Sequence, residues 1–149
     1  MHIPIDALTR IALAGLGLAG FVVARHIHVH KKAGRTPLVC PVNFNCHAVV
    51  HSSYSKFLGV PVEIFGMVYY AFVFLAYTIL FFMPYAVPPS ASVALILLAL
   101  AAFIFSLYLV IVQIFAIKEG CFWCYISSLI VALIFIITLL AYVTGALHL

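Results

Sequence analysis

The residues of this chain best suited to chemistry are four cysteines, which stand in two pairs. Cys40 and Cys46 have five residues between them, and Cys121 and Cys124 have two. A dithiol gives up two electrons when it closes to a disulfide and takes them back when the disulfide opens. Two such pairs in one small chain therefore predict a relay for electron pairs, and the composition indicates where it works.

The composition is that of a membrane protein. Of the 149 residues, 68% are hydrophobic and only 7% are charged. A soluble domain of this size could not bury so much apolar surface, whereas membrane lipid can cover it. The positive residues flank the apolar segments, so the net charge of +4 does not indicate nucleic-acid binding. The length predicts a single membrane domain over 1–149.

Four apolar segments are long enough to cross a bilayer, at about 8–24, 65–83, 92–117 and 121–142. Within lipid their backbone groups must be hydrogen-bonded internally, which predicts an all-α bundle of four transmembrane helices. An even number of spans puts both termini on one side. Both cysteine pairs then share the opposite side, and electrons can pass between them without crossing the membrane.

The segment 47–58 follows Cys46 directly and carries Val50, Tyr54 and Phe57 at helical spacing. We expect a short amphipathic helix that lies over the mouth of the bundle and ends at Gly59. Such a lid would keep water from whatever lies beneath it. The same pattern fits a helix that only covers the bundle.

The two pairs differ in how clearly they indicate redox chemistry. Cys121 begins the fourth span, where free backbone N–H groups and the helix dipole stabilise a thiolate, and the spacing lets it bond Cys124 across one turn. A fixed disulfide that pins the helix end is the alternative, although so short a loop gains little from closure. Cys40 and Cys46 alone fit a static staple as well as a shuttle. The presence of both pairs on one face favours the shuttle.

Several short motifs occur in a specific order along the chain. They are Cys40-Pro-Val-Asn-Phe-Asn-Cys46, Ser52-Ser53-Tyr54, Gly59-Val60-Pro61, Phe65-Gly66 and Cys121-Phe-Trp-Cys124. This order resembles the vitamin K epoxide reductase family, whose members are four-helix membrane thiol:quinone oxidoreductases. The resemblance covers about 40–128, together with the number and order of the spans.

The resemblance implies a role for each cysteine. Cys40 would meet a thioredoxin-like redox protein that acts in trans, and Cys46 would exchange with Cys121. Cys124 would lie nearer the ring and reduce a quinone of the ubiquinone or menaquinone type. The reaction would support protein disulfide formation.

The resemblance also implies a quinone pocket. Ser52 matches a serine that would hydrogen-bond a quinone oxygen, although its hydroxyl could equally cap the lid helix. Tyr69, Tyr70 and Tyr125 are candidates to pack against the ring, and the alternative for each is a simple interfacial anchor.

Two positions depart from the vertebrate enzymes of that family. Ser128 stands where they have a tyrosine, and Val62 stands where they have an asparagine. These departures favour simple quinone reduction over reduction of vitamin K epoxide.

Two groups of histidines raise a different class of function. One is the alternating set His26, His28 and His30, and the other is His47 and His51 beside the first cysteine pair. No carboxylate or cysteine keeps ligand spacing with the first set, and structural zinc sites prefer tighter cysteine spacing than the second offers. We therefore assign no metal. The alternative function is a non-enzymatic membrane protein, either stapled by disulfides or binding a metal.

The basic residues predict an orientation in the membrane. The predicted cysteine side carries six of them, Arg25, Lys31, Lys32, Arg35, Lys56 and Lys118, and the opposite side carries Arg10. The positive-inside rule then places both cysteine pairs on the cytoplasmic face of the cell membrane. This is an inverted orientation, because cytosol ordinarily keeps thiols reduced, but it suits the disulfide-rich cytoplasm of hyperthermophiles.

Overall fold

The computed structural model describes residues 4–33, 40–41, 44–85 and 88–145, and 82% of the structure is helical. The helices are α1 (Ile5–Ala33), α2 (Cys46–Val50), α3 (Val62–Phe82), α4 (Pro89–Val112) and α5 (Phe122–Val143). In the described ranges, the four long helices are long and apolar enough to cross a membrane. The predicted bundle of four membrane helices is confirmed.

Helix α1 is longer than its predicted span at both ends. Asp6 lies in its first turn, and His30, Lys31 and Lys32 lie in its last turn. Acidic groups near the N-terminus and basic groups near the C-terminus of a helix interact favourably with its dipole. The basic stretch after the apolar segment is therefore the end of α1.

Helices α1 and α3 run antiparallel in close contact. Arg10 donates from Nη1 to the carbonyl oxygen of Leu80 over 2.9 Å, which joins the start of α1 to the end of α3. A Cβ on Gly17 would lie 2.8 Å from the backbone nitrogen of Phe74, so only glycine fits there without a shift. Small residues of this kind let membrane helices approach closely.

Helix α5 runs parallel to α3, and two hydrogen bonds join them. The Tyr70 hydroxyl donates to the carbonyl oxygen of Ser127 over 2.8 Å, and the Tyr77 hydroxyl lies 3.0 Å from Thr138 Oγ1. Both tyrosines are buried in the main core between the helices. These contacts place the start of α5, and therefore the second cysteine pair, beside the start of α3.

The predicted lid helix over 47–58 is wrong in its length. Helix α2 ends at Val50, and a 3₁₀ turn follows at Ser53–Ser55. Two hydroxyl groups hydrogen-bond locally: Ser52 Oγ donates to Val49 O over 2.8 Å, and Ser55 Oγ donates to Ser52 O over 2.7 Å. Such local bonds offer the backbone an alternative to the helix, and here they accompany its end.

A two-stranded hairpin replaces the second half of the predicted helix. Strands β1 (Lys56–Phe57) and β2 (Val60–Pro61) pair antiparallel. Leu58 and Gly59 form the turn between them, with φ angles of 53° and 80°. Positive φ at both central residues is the mark of a type I′ turn, which matches the twist of the two strands. The apolar spacing that indicated a helix therefore belongs to a turn and a hairpin.

Candidate redox centre

The first cysteine pair is a disulfide between Cys40 and Cys46, with the two Cα atoms 6.3 Å apart. Cys46 is the first residue of α2 and only 2% exposed, whereas Cys40 is partly exposed. Asn45 caps α2, since its side-chain Oδ1 accepts a hydrogen bond from the backbone of Ala48 over 3.2 Å. The cap fixes Cys46 at the start of the helix and leaves Cys40 as the more accessible sulfur.

The second pair consists of the free thiols Cys121 and Cys124. Cys121 is the N-cap of α5, as the sequence predicted, and its Sγ accepts a hydrogen bond from the backbone N–H of Cys124 over 3.4 Å. Cys121 is fully buried. A hydrogen bond from the Cys124 thiol lowers the pKa of Cys121, and backbone N–H groups of the first turn act in the same direction against the effect of burial. Cys121 is therefore the member of the pair that ionises more readily.

A π-helical turn at Gln113–Ile117 ends the third span and positions Cys121. Gln113 is buried, and its side-chain Oε1 accepts a hydrogen bond from the backbone N–H of Cys121 over 3.3 Å. Turns of this type occur often at functional sites. Sequence reasoning missed Gln113, and the signal that could have found it is a polar amide near the end of an otherwise apolar span.

One backbone hydrogen bond connects the two cysteine motifs. The N–H of Asn45, which precedes Cys46, donates to the carbonyl oxygen of Gly120, which precedes Cys121, over 3.0 Å. Cys46 and Cys121 also belong to one buried cluster, which includes Val49 and Val50 of the loop and Ile27 of α1. The structure thus brings the buried members of both pairs to the same end of the bundle.

Aromatic rings also pack at the junction between the two pairs, where Phe44 and Asn45 meet Gly120 and the start of α5. The Phe44 ring lies 5.9 Å from that of Phe122 and 6.0 Å from that of Tyr125, measured between centroids. A Cβ at Gly120 would lie 3.0 Å from the Phe44 ring and 3.2 Å from the Tyr125 ring. The absence of a side chain at Gly120 therefore lets the loop sit directly against the start of α5.

A cavity of about 350 Å³ lies beside the second pair. Its lining comes from all four spans and from the loop that precedes α3, and most of it is apolar. Cys124 lines this cavity, whereas Cys121 does not. The volume is in the range of small-molecule sites, and an apolar wall with a few polar groups is their usual composition.

Three of the four residues that were predicted to bind the quinone line the cavity: Ser52, Tyr69 and Tyr70. The hydroxyl groups of Ser52 and Tyr70 donate to backbone carbonyls, as described above, while the Tyr69 hydroxyl is buried and has no hydrogen-bond partner among the described residues. Tyr125 lies outside the lining and packs on Phe44 instead. A role in quinone binding stays a prediction for these residues.

Glu63 is a cavity residue that sequence reasoning missed. It is one of three acidic residues in the chain and lies in the first turn of α3, where its side chain is 6% exposed. Its Oε1 is 3.0 Å from Lys31 Nζ and 3.5 Å from His28 Nδ1. A carboxylate at the start of an apolar segment was the available signal, but its partners on α1 are about thirty residues away in sequence.

Four of the histidines make ring contacts. His47 and His51 stack with centroids 4.3 Å apart, and His26 lies 4.1 Å from His30 and 4.5 Å from Trp123. Across the described ranges, no group of three or more histidine, cysteine or acidic residues is arranged to hold a metal ion.

A known protein family matches this chain over most of its length. A model of the vitamin K epoxide reductase family matches residues 7–139, which is nearly the whole chain and includes all four cysteines. A search of the curated proteins found no match. The family match extends beyond both ends of the motif-bearing segment 40–128 and confirms the resemblance inferred from the order of the motifs.

Proposed function

Since the chain belongs to the vitamin K epoxide reductase family, we propose that it is a thiol:quinone oxidoreductase that passes electron pairs from a thioredoxin-like protein to a membrane quinone. The net result would be disulfide formation in other proteins. The observation that carries the proposal is the position of Cys124. It lines the apolar cavity, while Cys121 beside it lies in the buried cluster with Cys46.

The first step takes place at the Cys40–Cys46 disulfide. A thiolate of the reduced thioredoxin-like partner attacks Cys40, because Cys40 is the accessible sulfur and Cys46 is buried. The Cys40–Cys46 bond breaks, a mixed disulfide forms, and Cys46 leaves as a thiolate. The second thiol of the partner then displaces Cys40, so the partner departs oxidised and the loop pair is left as a dithiol.

The second step transfers the electron pair between the cysteine pairs. The Cys46 thiolate attacks Cys121 when Cys121 and Cys124 are joined, and Cys124 leaves as a thiolate. Cys40 then displaces Cys121 from the mixed disulfide and restores the Cys40–Cys46 bond. The hydrogen bond between Asn45 and Gly120 and the shared cluster favour this route, because they hold the attacking and attacked sulfurs at the same end of the bundle.

The third step takes place at the cavity. The dithiol of Cys121 and Cys124 closes to a disulfide, and its two electrons pass to the quinone through Cys124. We propose that the ring lies against Tyr69 and Tyr70 near Ser52, and that Tyr125, which packs on Phe44 outside the lining, holds the neighbouring loop. The apolar lining fits a quinone ring, and such a wall keeps water away from the reduced sulfur.

The substrate is a simple quinone of the ubiquinone or menaquinone type. Ser128 and Val62, where the vertebrate enzymes have a tyrosine and an asparagine, both line the cavity. Neither supplies the phenol or amide group that those enzymes place there. Their presence in the lining therefore supports a quinone, and not the epoxide, as the substrate.

We propose further that both cysteine pairs face the cytoplasm. Arg25, Lys32, Lys56 and Lys118 are exposed around the cysteine end, whereas Arg10 near the other end is buried; Arg35 lies outside the described residues. The positive-inside rule supports this orientation. Ready modification of reduced Cys40 by a membrane-impermeant thiol reagent added to intact cells would contradict it.

The direct test is a quinone assay with purified protein. Wild-type protein supplied with ubiquinone or menaquinone and a reduced thioredoxin-like protein should consume quinone, and Cys124→Ala should abolish the reaction. Thr144→Ala is the control, since Thr144 is exposed at the far end of α5. Unchanged turnover in Cys124→Ala would remove the proposal.

A further inference from the structure

Glu63 has no part in the electron route, yet it is a carboxyl group buried at the edge of the cavity. Burial of a charged group beside a membrane span is costly, and such groups usually mark a proton or ion pathway. The ion pair with Lys31 at 3.0 Å offsets part of the cost. A pairing role alone does not account for the position of Glu63 in the wall that also carries Cys124.

The surroundings of Glu63 form a path from the cavity towards the aqueous face. The Glu63 side chain is 6% exposed, that of Lys31 is 14% exposed, and that of His28 is 22% exposed. His28 Nδ1 lies 3.5 Å from Glu63 Oε1. An imidazole has one nitrogen that can accept a proton and one that can donate it, so partly exposed His28 is placed to take a proton from water and pass it inwards.

The charged and titratable groups that interact with Glu63 in the described ranges come from two neighbouring helices. His28 and Lys31 face it from α1, and Cys124 of α5 lines the same cavity. Glu63 thus stands between its ion-pair partners on α1 and the cavity wall that carries Cys124, and a carboxyl group in this position can relay protons.

Reduction of a quinone to the quinol requires two protons, and the wall of this cavity is mostly apolar. The Cys124 thiol can supply one of them. Cys121 caps α5 and its Sγ accepts the backbone N–H of Cys124, which favours the Cys121 thiolate, so we take the second proton to come from another group. Resting on the proposed function, we propose that Glu63 donates this second proton to the quinone and is recharged by His28.

The step balances in atoms and electrons. The Cys121 thiolate and the Cys124 thiol give up two electrons, and a disulfide forms between them. The Cys124 proton goes to one ring oxygen, and the proton relayed through Glu63 goes to the other, so the product is the quinol. His28 passes its proton to Glu63 and regains one from water on the cysteine side.

The test compares Glu63→Gln with wild-type protein, using the full chain in lipid nanodiscs. A small dithiol such as dithiothreitol supplies the electrons, quinone is saturating, and the rate is followed across a pH series. Glu119→Gln is the matched control, because Glu119 undergoes the same change on the exposed turn before α5. Thermal melting of each variant checks that it is folded.

We expect kcat of Glu63→Gln to fall on the order of 10²-fold at neutral pH, with little change in KM for the quinone. The loss should deepen as pH rises, because the remaining protons come from water. Formate or azide, small weak acids that carry protons, should restore part of the rate, and Glu63→Asp should keep most of it. A merely structural role would lower the melting temperature and would not respond to weak acids.

The outcomes are distinguishable. If wild-type protein does not reduce quinone, the proposed function fails and the proton route fails with it. If wild-type protein is active and Glu63→Gln keeps its rate and pH profile, only the proton route is overturned. If Glu63→Gln does not fold, His28→Gln decides: a slower rate that weak acids restore supports the route, and a wild-type rate overturns it.

Discussion

Each of the two cysteine pairs has one buried and one partly exposed member, but the partly exposed members lie in different surroundings. In each pair one cysteine stands at the start of a helix and is buried, Cys46 at 2% exposure and Cys121 at 0%. The other cysteine is partly exposed, and here the pairs differ: Cys40 belongs to the loop, whereas Cys124 lines the cavity. The buried members of both pairs lie in one cluster, which suits the proposed route from a protein at Cys40 to a small molecule at Cys124.

The pairs also differ in how firmly they are held. Cys121 starts a helix of 22 residues, and the side chain of Gln113 binds its backbone. Cys46 starts a helix of five residues, which is too short to be stable by itself. Its position therefore depends on the hydrogen bond from Asn45 to Gly120 and on the packing of Phe44. The loop pair is therefore held less firmly than the pair at the start of α5.

The largest effects should come from removing one cysteine of each pair and changing the reductant. Cys124→Ala should lower quinone reduction on the order of 10³-fold or more with any reductant, because the sulfur at the cavity is lost. Cys40→Ala should lose turnover with a thioredoxin-like protein to a similar extent. With a small dithiol that reaches the second pair directly, Cys40→Ala should keep most of its rate.

The measurement is the initial rate of quinone loss for each variant with each reductant. If Cys40→Ala loses as much of its rate of quinone reduction with the small dithiol as with the thioredoxin-like protein, the separate roles proposed for the two pairs are contradicted. Retained activity of Cys124→Ala with the small dithiol would show that the electrons leave from another sulfur.

A smaller effect should follow from crowding the junction between the pairs. Gly120→Ala places a Cβ 3.0 Å from the Phe44 ring, so the loop must shift by a few tenths of an ångström. Turnover driven by the thioredoxin-like protein should fall about tenfold, since misplacement of reacting groups by 1 Å costs about a hundredfold. Gly15→Ala is the matched control, because in the part of the chain that the structure describes no neighbouring side chain or helix lies within 4 Å of a Cβ there. Equal rates in Gly120→Ala and wild-type protein would argue that electrons do not cross this junction.

The parts of this molecule that could be predicted are those set by regular patterns. Long apolar segments specify membrane helices, and the start of a span after Gly120 places Cys121 at a helix N-terminus. The lid could not be predicted in the same way. Its apolar spacing suggested a helix to 58, but serine hydroxyl groups and the turn at Gly59 form other local structure.

The polar residues of the site were harder to find for a different reason. Glu63 and Gln113 are single polar residues in or beside apolar spans, and neither has a partner at a regular spacing. Glu63 pairs with Lys31, which is 32 positions away, and Gln113 binds the backbone of Cys121 across the π-helical turn. Glu63 meets its partner because α1 packs against α3. Gln113 reaches Cys121 because the third span ends in a π-helical turn.

The most direct test of the account is to trap the transfer between the pairs. In the double variant Cys40→Ser/Cys124→Ser only Cys46 and Cys121 remain, and mild oxidation should join them within one chain, as mass spectrometry of the digested protein would show. The matched double variant Cys46→Ser/Cys121→Ser leaves Cys40 and Cys124, which should stay free thiols. A Cys46–Cys121 bond in the first variant alone is the predicted result. No bond there, or readier bonding between Cys40 and Cys124, would contradict the electron route.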